Sequence, residues 1–176
     1  GTYILICEGN SFAMGNINDD YRAEPAYGLS LDKTVNPYRA TVSDNNSVMV
    51  LTAHAVDGGY ILQIGATDTY LSNTSSTYLV ARAENSTNTW SVSGGESGCY
   101  VHHMLSSTDR GVLFRKDQTV FGAYAMSNAG TTNYDYAYLY GQASGDVTIE
   151  APVIVPASGT YYENQQVEIA AEQDAT

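Results

Sequence analysis

One pattern of apolar residues occurs three times along the chain and constrains the fold more than any other feature. Each copy opens on an aromatic residue followed by a branched one, continues with an apolar pair and closes on a short apolar strand. The openings are Tyr3-Ile4, Tyr60-Ile61 and Tyr100-Val101; the middle pairs are Ala13-Met14, Tyr70-Leu71 and Val112-Leu113; the closing strands are Val48-Met49-Val50-Leu51, Trp90-Ser91-Val92 and Tyr138-Leu139-Tyr140. Because repeated units of this kind share one core, the pattern predicts a β-trefoil-like closed barrel with pseudo-threefold repeats.

Composition supports an all-β class. Gly, Asn, Ser and Thr crowd the segments between the apolar runs, and no long stretch has apolar residues at helical spacing. A length of 176 residues suffices for one domain with a real core and part of a second. We predict a first domain over residues 1–148 and the first strands of an incomplete domain over residues 149–176.

Charge limits the partners. The chain carries 7 Lys plus Arg against 19 Asp plus Glu, a formal net charge of -12. Nucleic-acid affinity depends on cations that displace counterions from phosphates, so we expect no nucleic-acid partner. No run of about 20 apolar residues is present, so we expect no direct membrane insertion.

Turn-forming residues and prolines predict two local features of the chain. Residues 21–47 are polar and contain Pro25 and Pro37, which favours a long irregular excursion. The Asp57-Gly58-Gly59 segment predicts a tight turn between two strands.

Cys7 and Cys99 lie in or beside apolar strands. The sequence is compatible both with two buried free thiols and with a single disulfide between them.

The sequence predicts no catalytic centre, metal site or cofactor. His54 with Ser97, and Asp57 or Asp68 as the acid, superficially resemble a serine protease triad, but the histidine and serine are too close in sequence for the two barrels that such a site joins. His102 and His103 are adjacent and point to opposite faces of a strand, so they cannot easily share an ion. The residues Asn16, Asn18 and Asp20 alternate oxygen groups as a calcium loop does, yet glycine and glutamate are missing where that loop needs them.

The strongest surface candidate is the tyrosine-rich segment Tyr134-Asp135-Tyr136-Ala137-Tyr138-Leu139-Tyr140. Strand alternation places its four tyrosines on one face and Asp135, Ala137 and Leu139 on the other. Aromatic rings stack on the apolar side of sugars, and nearby oxygens accept hydroxyl protons. The residues Asn133, Tyr134, Asp135 and Tyr136 are therefore the candidate ligand-binding platform, with a glycan as the partner. The alternative is a structural role, in which Tyr138 and Tyr140 fill the core with their hydroxyls at the rim. Trp90, at the matching position of the preceding unit, is expected in the core.

Several short motifs, in order, carry a resemblance that covers roughly residues 2–143. They are Asp57-Gly58-Gly59-Tyr60-Ile61-Leu62-Gln63, Tyr70-Leu71, Asn88-Thr89-Trp90, Gly111-Val112-Leu113-Phe114 and Tyr138-Leu139-Tyr140. Together they resemble accessory β-domains of large secreted or surface proteins of gut-type bacteria, which often stand beside hydrolase modules. The resemblance implies an exported accessory module at the cell surface or outside the cell. It supplies no catalytic or ligand residues.

A second resemblance begins at Ala151-Pro152-Val153-Ile154-Val155-Pro156 and runs to Gln166-Val167-Glu168-Ile169. This segment is similar to the opening of the chitobiase and β-hexosaminidase carboxy-terminal domain, an immunoglobulin-like sandwich. That family continues into further strands, whereas this sequence ends at Thr176. The resemblance implies a truncated sandwich and covalently linked neighbouring domains in a longer parent protein.

These observations favour a non-catalytic binding module of an exported multidomain protein, directed at carbohydrate. Two alternatives remain: a structural spacer or protein-interaction domain of a surface protein, and an unrecognised hydrolase. Fold by itself does not establish function, so the choice depends on where the polar and aromatic groups meet.

Overall fold

The computed structural model describes residues 1–35, 38–43, 47–95, 98–142, 148–150, 153–155 and 168–170. Within these ranges the protein is all-β, with two short 3₁₀ turns at Glu84–Ser86 and Met126–Asn128 and no α-helix. The strands are β1 (Thr2–Cys7), β2 (Phe12–Ile17), β3 (Ala23–Ala26), β4 (Leu29–Asp32), β5 (Arg39–Val42), β6 (Leu51–Val56), β7 (Gly59–Ile64), β8 (Tyr70–Ser72), β9 (Val80–Arg82), β10 (Ser91–Gly95), β11 (Gly98–Leu105), β12 (Thr108–Arg115), β13 (Val120–Ala125), β14 (Tyr134–Tyr136), β15 (Tyr138–Gln142), β16 (Thr148–Glu150), β17 (Val153–Val155) and β18 (Glu168–Ala170).

Six segments are joined by antiparallel pairing into a continuous cycle. β1 pairs with β6, β6 with β7, β10 with β11, β11 with β15, and β15 with β1. The remaining link is a bridge between Tyr60 of β7 and Trp90, which directly precedes β10. Their main chains exchange two hydrogen bonds, of 2.9 Å and 2.7 Å. We call these segments the six-strand cycle.

Three further antiparallel strand pairs lie outside the cycle, and they contact one another. The pairs are β2 with β3, β8 with β9 and β12 with β13. Phe121 of β13 pairs with Ala23 of β3. The amide of Leu79 donates to the carbonyl of Tyr21 at 2.9 Å, and the amide of Ala123 donates to the carbonyl of Thr77 at 3.1 Å. Main-chain hydrogen bonds therefore join these pairs and their connecting loops to one another.

The main core contains residues of the cycle together with residues of other strands, among them Met14, Leu71 and Val112. Every segment of the cycle contributes an apolar side chain that is at most 5% exposed, namely Leu5, Leu51, Leu62, Trp90, Val101 and Leu139. The indole Nε1 of Trp90 donates to the carbonyl of Leu71 at 2.9 Å, which satisfies the buried donor. The prediction that Trp90 belongs to the core is confirmed.

The excursion predicted as irregular is instead a second structured layer. Residues 21–47 contain β3, β4 and β5, and β4 pairs with β5 over its whole length. Pro25 lies within β3 opposite Met14, beside an irregularity in the β2–β3 register. At such an irregularity the ladder tolerates the loss of the backbone N–H donor that proline lacks. Pro37 lies outside the described residues. Ala40 and Val42 alternate with exposed residues on β5, so the prediction of an irregular loop from its prolines and polar residues was wrong.

This layer forms a second apolar cluster against the outside of β1. The cluster contains Ile4 and Ile6 of β1, together with Ala40, Val42 and Tyr140. The alternate β1 residues, Leu5 and Cys7, belong to the main core. β1 is therefore buried on both faces, which is why its sequence is almost continuously apolar.

The first closing strand begins later than predicted. The sequence predicts it at residues 48–51, but β6 starts at Leu51 and continues to Val56. Val48 forms a bridge with Gly15, and the amide of Met49 donates to the carbonyl of Met14 at 2.8 Å. These apolar residues pack beside β2 before the chain enters β6, so hydrophobicity alone misplaced the boundary.

Both cysteines are free and buried. Burial raises the pKa of Cys7 to about 11 and also raises the pKa of Cys99. The sequence is compatible with either two free thiols or one disulfide, and in the structure both cysteines are free thiols.

The carboxy-terminal strands that the structure describes form two groups. β16 pairs with β15 and with β5, whereas β17 pairs with β18 in a separate two-stranded sheet. The domain boundary between residues 148 and 149 stays a prediction. So does the immunoglobulin-like character of residues 149–176.

Candidate functional site

The tyrosine-rich segment is two strands rather than one. β14 pairs with β12, whereas β15 pairs with β1 and β11, and Ala137 separates the two strands. Ala137 and Leu139 enter the main core, and Tyr140 is buried in the second cluster, where its hydroxyl donates to Glu8 Oε1 at 2.5 Å. The alternation of faces was predicted correctly for these residues, but the two apolar side chains, not the tyrosines, fill the main core.

The four residues of the predicted platform face different surroundings. Tyr134 packs edge-on against Tyr124 with ring centroids 4.9 Å apart. Asp135 forms an ion pair with Lys116 at 2.9 Å. Asn133 is exposed, and its carbonyl accepts from the Lys116 amide at 2.9 Å. Tyr136, by contrast, belongs to another group of aromatic side chains, so the structure does not bring the four together on one surface.

That group forms a half-buried aromatic surface on β11, β14 and β15. The ring of Tyr136 lies 5.1 Å from that of Tyr100 and 5.6 Å from that of Tyr138, with the second pair stacked at an interplanar angle of 17°. The His102 ring lies 5.8 Å from the Tyr100 ring. We call Tyr100, His102, Tyr136 and Tyr138 the tyrosine–histidine face. Each of them retains partial exposure, so the surface can accept a flat apolar ligand face.

Polar groups at this face are already aligned by hydrogen bonds. His102 Nδ1 lies 2.8 Å from Asp109 Oδ1, and His102 Nε2 lies 2.8 Å from the hydroxyl of Ser93. Because a carboxylate only accepts, Nδ1 of the neutral ring carries the proton and Nε2 accepts from Ser93. The Ser93 side chain also forms a hydrogen bond with the Tyr100 phenol. The Asp109 side chain is 42% exposed, so its carboxylate can accept a further bond from a ligand.

The phenol of Tyr100 stays protonated at neutral pH. Burial raises its pKa, and the nearby Tyr136 and Asp109 raise it further. The face thus combines aromatic rings with hydroxyl, imidazole and carboxylate groups within a small area. Stacking and hydrogen bonding at one surface are what recognition of a sugar ring requires.

Sequence reasoning identified only part of this face. Alternation along β11 places Tyr100 and His102 on the same side. The prediction that His102 and His103 point to opposite faces is confirmed, because His103 is 5% exposed whereas His102 is half-buried. The approach of Ser93 and Asp109 to His102 depends on the β10–β11 and β11–β12 registers. No local signal in the sequence fixes those registers.

The other motifs considered from sequence have local partners. His54 Nε2 lies 2.8 Å from Gln63 Oε1 on the neighbouring strand; Ser97 lies outside the described residues. Asn18 Oδ1 accepts from the amides of Asp20 and Arg22, at 3.1 Å each, as in a polar turn. Among the residues that the structure describes, no cluster of three or more His, Cys, Asp or Glu could hold a metal ion.

An apolar cavity of about 240 Å³ opens between strands of the six-strand cycle. Its lining includes Tyr3, Leu62, Val92, Cys99 and Leu139. Few of these side chains can form hydrogen bonds, so a sugar inside would leave most of its hydroxyls without partners. The cavity does not suit the ligand class that the tyrosine–histidine face suits.

No family model, curated protein or solved structure matches this chain. In the part of the chain that the structure describes, no helix is long and apolar enough to cross a membrane.

Proposed function

We propose that this protein is a non-catalytic, carbohydrate-directed accessory module of an exported multidomain protein, and that it binds neutral glycans at the tyrosine–histidine face. The single observation that carries the proposal is the partly exposed contact of Tyr100, Tyr136 and Tyr138 beside the hydrogen-bonded His102. The rings of Tyr100, Tyr136 and Tyr138 keep partial exposure, and Tyr138 also packs against the second cluster, whereas Tyr140 of the same segment is buried.

The proposed architecture is a β-trefoil-like closed barrel with pseudo-threefold repeats. The six-strand cycle and the inward side chain from each of its segments support closure, since a closed sheet has no free edges. The strand pairs β2–β3, β8–β9 and β12–β13, one from each repeat, support the threefold relation. In this arrangement the outer strand surfaces and the loops remain available for a ligand.

Charge favours a neutral ligand. A formal net charge of -12 repels uronates and sulfated sugars over much of the surface. Neutral sugars offer hydroxyl donors to Asp109 without that repulsion. The same balance of charge disfavours nucleic acid as a partner.

The role within a longer protein follows from the two resemblances. In the proposed setting the module is joined covalently to neighbouring domains and acts at the cell surface or outside the cell. The alternative within this setting is a structural spacer or protein-interaction domain. A spacer requires a stable fold but no affinity for sugar, so a binding measurement separates the two.

The test is glycan-array screening followed by native electrophoresis in gels that contain each neutral polysaccharide scored as positive. We expect Tyr136→Ala and Tyr100→Ala to lose most of the retardation, because each removes an aromatic ring of the proposed stacking surface. Tyr134→Ala tests the predicted platform separately, since Tyr134 contacts Tyr124 instead.

Tyr27→Ala is the matched control. Tyr27 is 65% exposed and contacts Phe12 outside this face, so its loss should leave retardation unchanged. A folded wild-type protein that binds no glycan on the array and is not retarded in any gel would exclude the proposal and favour the spacer.

A second candidate function is ester hydrolysis, and it is favoured by the Ser93–His102–Asp109 contacts. Serine, imidazole and carboxylate at successive distances of 2.8 Å are the arrangement that activates a serine nucleophile. Turnover of p-nitrophenyl acetate that disappears in Ser93→Ala, with Ser91→Ala on the same face of β10 as the control, would support a hydrolase. Equal background rates in the wild type and both variants would exclude the hydrolase and assign the Ser93–His102–Asp109 contacts to ligand binding.

A further inference from the structure

Two exposed tyrosines outside the tyrosine–histidine face lie on loops of the first two repeats. Tyr21 is in the β2–β3 connection and Tyr78 is in the β8–β9 connection. Their ring centroids are 5.0 Å apart with an interplanar angle of 32°, and the residues are 49% and 39% exposed. Two large rings therefore form one solvent-facing surface, which we call the Tyr21–Tyr78 pair.

An arginine holds this pair in position. The guanidinium of Arg22 lies 4.9 Å from the centre of the Tyr78 ring, within the range of a cation–π contact. Its Nη1 donates to the Tyr21 carbonyl at 3.1 Å, and its Nη2 donates to the hydroxyl of Thr77. Arg22 is thus occupied in orienting the two loops and is poorly placed to attract an anionic ligand.

The backbone also holds Tyr21 outward at a cost. Tyr21 has a φ of 59°, a left-handed conformation that is rare for an aromatic residue. The turn is nevertheless fixed, because its amide donates to the Asn18 carbonyl at 3.0 Å and its carbonyl accepts from the Leu79 amide at 2.9 Å. Strain of this kind persists where surrounding bonds over-determine it, and it recurs at ligand-binding positions.

We propose that the Tyr21–Tyr78 pair is a second glycan-binding site, separate from the tyrosine–histidine face. The inference rests on the proposed function and names a further site for the same ligand class. The occupant is a ring of a neutral oligosaccharide: the tyrosines stack on its apolar side, and the exposed carboxylates of Asp19 and Asp20, which directly precede Tyr21, accept its hydroxyl protons. Those carboxylates disfavour an acidic polymer.

Two sites change how the module holds a polymer. A long polysaccharide that occupies both sites binds more tightly than a short oligosaccharide because the second contact is intramolecular. When one of the two sites is lost, the affinity for a long polysaccharide falls by far more than twofold. For a short oligosaccharide, the same loss only halves the number of molecules bound per protein.

The test uses a neutral polysaccharide that retards the wild-type protein and its hexasaccharide, with retardation and calorimetric stoichiometry as readouts. Tyr21→Gly removes the ring and suits the left-handed backbone, so the variant should fold at least as well as the wild type. Tyr78→Ala removes the other ring. We expect each variant to bind one hexasaccharide instead of two and to lose at least tenfold in polysaccharide affinity.

Tyr27→Ala is again the matched control, and Tyr136→Ala reports on the other site. Retardation and stoichiometry that stay at wild-type values in both Tyr21→Gly and Tyr78→Ala, while Tyr136→Ala loses binding, would overturn the second site alone. A wild-type protein that binds no polysaccharide would overturn this inference and the proposed function together. Concentration-dependent dimerisation that Tyr21→Gly abolishes, without any change in glycan binding, would overturn the second site and assign the pair to self-association.

Discussion

At the scale of single residues, His103 illustrates how a polar group is kept inside the main core. Its ring lies 4.7 Å from that of Trp90, edge to face, and its Nε2 lies 3.0 Å from Asn73 Oδ1. Asn73 is itself fully buried and donates to the carbonyl of Tyr78 at 2.7 Å. The network satisfies the neutral imidazole, and burial lowers the pKa of His103 because the charged form is desolvated.

This burial predicts a specific loss of stability in acid. Between the lowered pKa and the ordinary value of 6.5, the unfolded state binds a proton that the native state does not. The contribution of neutral His103 is therefore present above about pH 6.5 and is lost as the pH falls below it. His103→Gln keeps an amide donor toward Asn73 and removes the titration. The free energy of unfolding should fall more steeply between about pH 7 and 5 in the wild type than in this variant.

Urea denaturation followed by fluorescence suits this measurement because Trp90 is the single tryptophan. His54→Gln, which replaces an exposed histidine, is the control and should follow the wild-type curve. A constant difference between wild type and His103→Gln at every pH would contradict the prediction.

At the scale of elements, the β6–β7 hairpin depends on how closely its turn approaches the next repeat. Gly59 has a φ of +153°, and a Cβ at this position would clash with the carbonyl oxygen of Trp90. That carbonyl accepts the Tyr60 amide that links β7 to the segment before β10. The glycine therefore permits the bridge that completes the six-strand cycle.

Alanine substitutions at two neighbouring glycines distinguish the effect of steric crowding on stability from the effect of backbone strain. Gly58 has a φ of +80°, but a Cβ at this position would meet nothing within 4 Å, so Gly58→Ala should cost roughly 1–2 kcal/mol through strain alone. Gly59→Ala must also displace the Trp90 carbonyl, and overpacking adds about 1–3 kcal/mol. Thermal and urea unfolding should rank Gly59→Ala as the less stable variant. Equal stabilities would show that the Trp90 contact does not constrain the turn.

At the scale of the whole molecule, the pairing of β1 with β15 joins the two ends of the repeated region. Ile4 lies opposite Tyr140 in this ladder, and both side chains belong to the second cluster. Such a long-range ladder forms only when the intervening chain is folded. The first and last strands of the cycle should therefore open together.

Hydrogen exchange with mass spectrometry measures this coupling. We expect the amides of β1 and β15 to exchange with the same dependence on denaturant, at a free energy close to that of global unfolding. The β4–β5 pair, which lies outside the cycle, serves as an internal comparison and should be less protected. Exchange of β15 well before β1 would contradict closure of the cycle.

Several properties were determined by the sequence alone. Period-two alternation and turn residues established the all-β class, the β6–β7 turn and the opposite directions of His102 and His103, because each depends on local geometry of a strand. The mid-unit pairs likewise predicted β2, β8 and β12. The second layer was missed because the apolar residues of β4 and β5 are few and separated by polar ones, and their burial becomes evident only against β1.

The tertiary structure alone decided which polar and aromatic groups meet. Ser93, His102 and Asp109 are on three strands, and a change of register by one residue would turn one of them to the other face. Tyr136 and Tyr100 meet for the same reason, and Tyr21 reaches Tyr78 only because two loops of different repeats converge. The sequence specifies which faces are apolar, whereas packing and register over long separations determine which surfaces can bind.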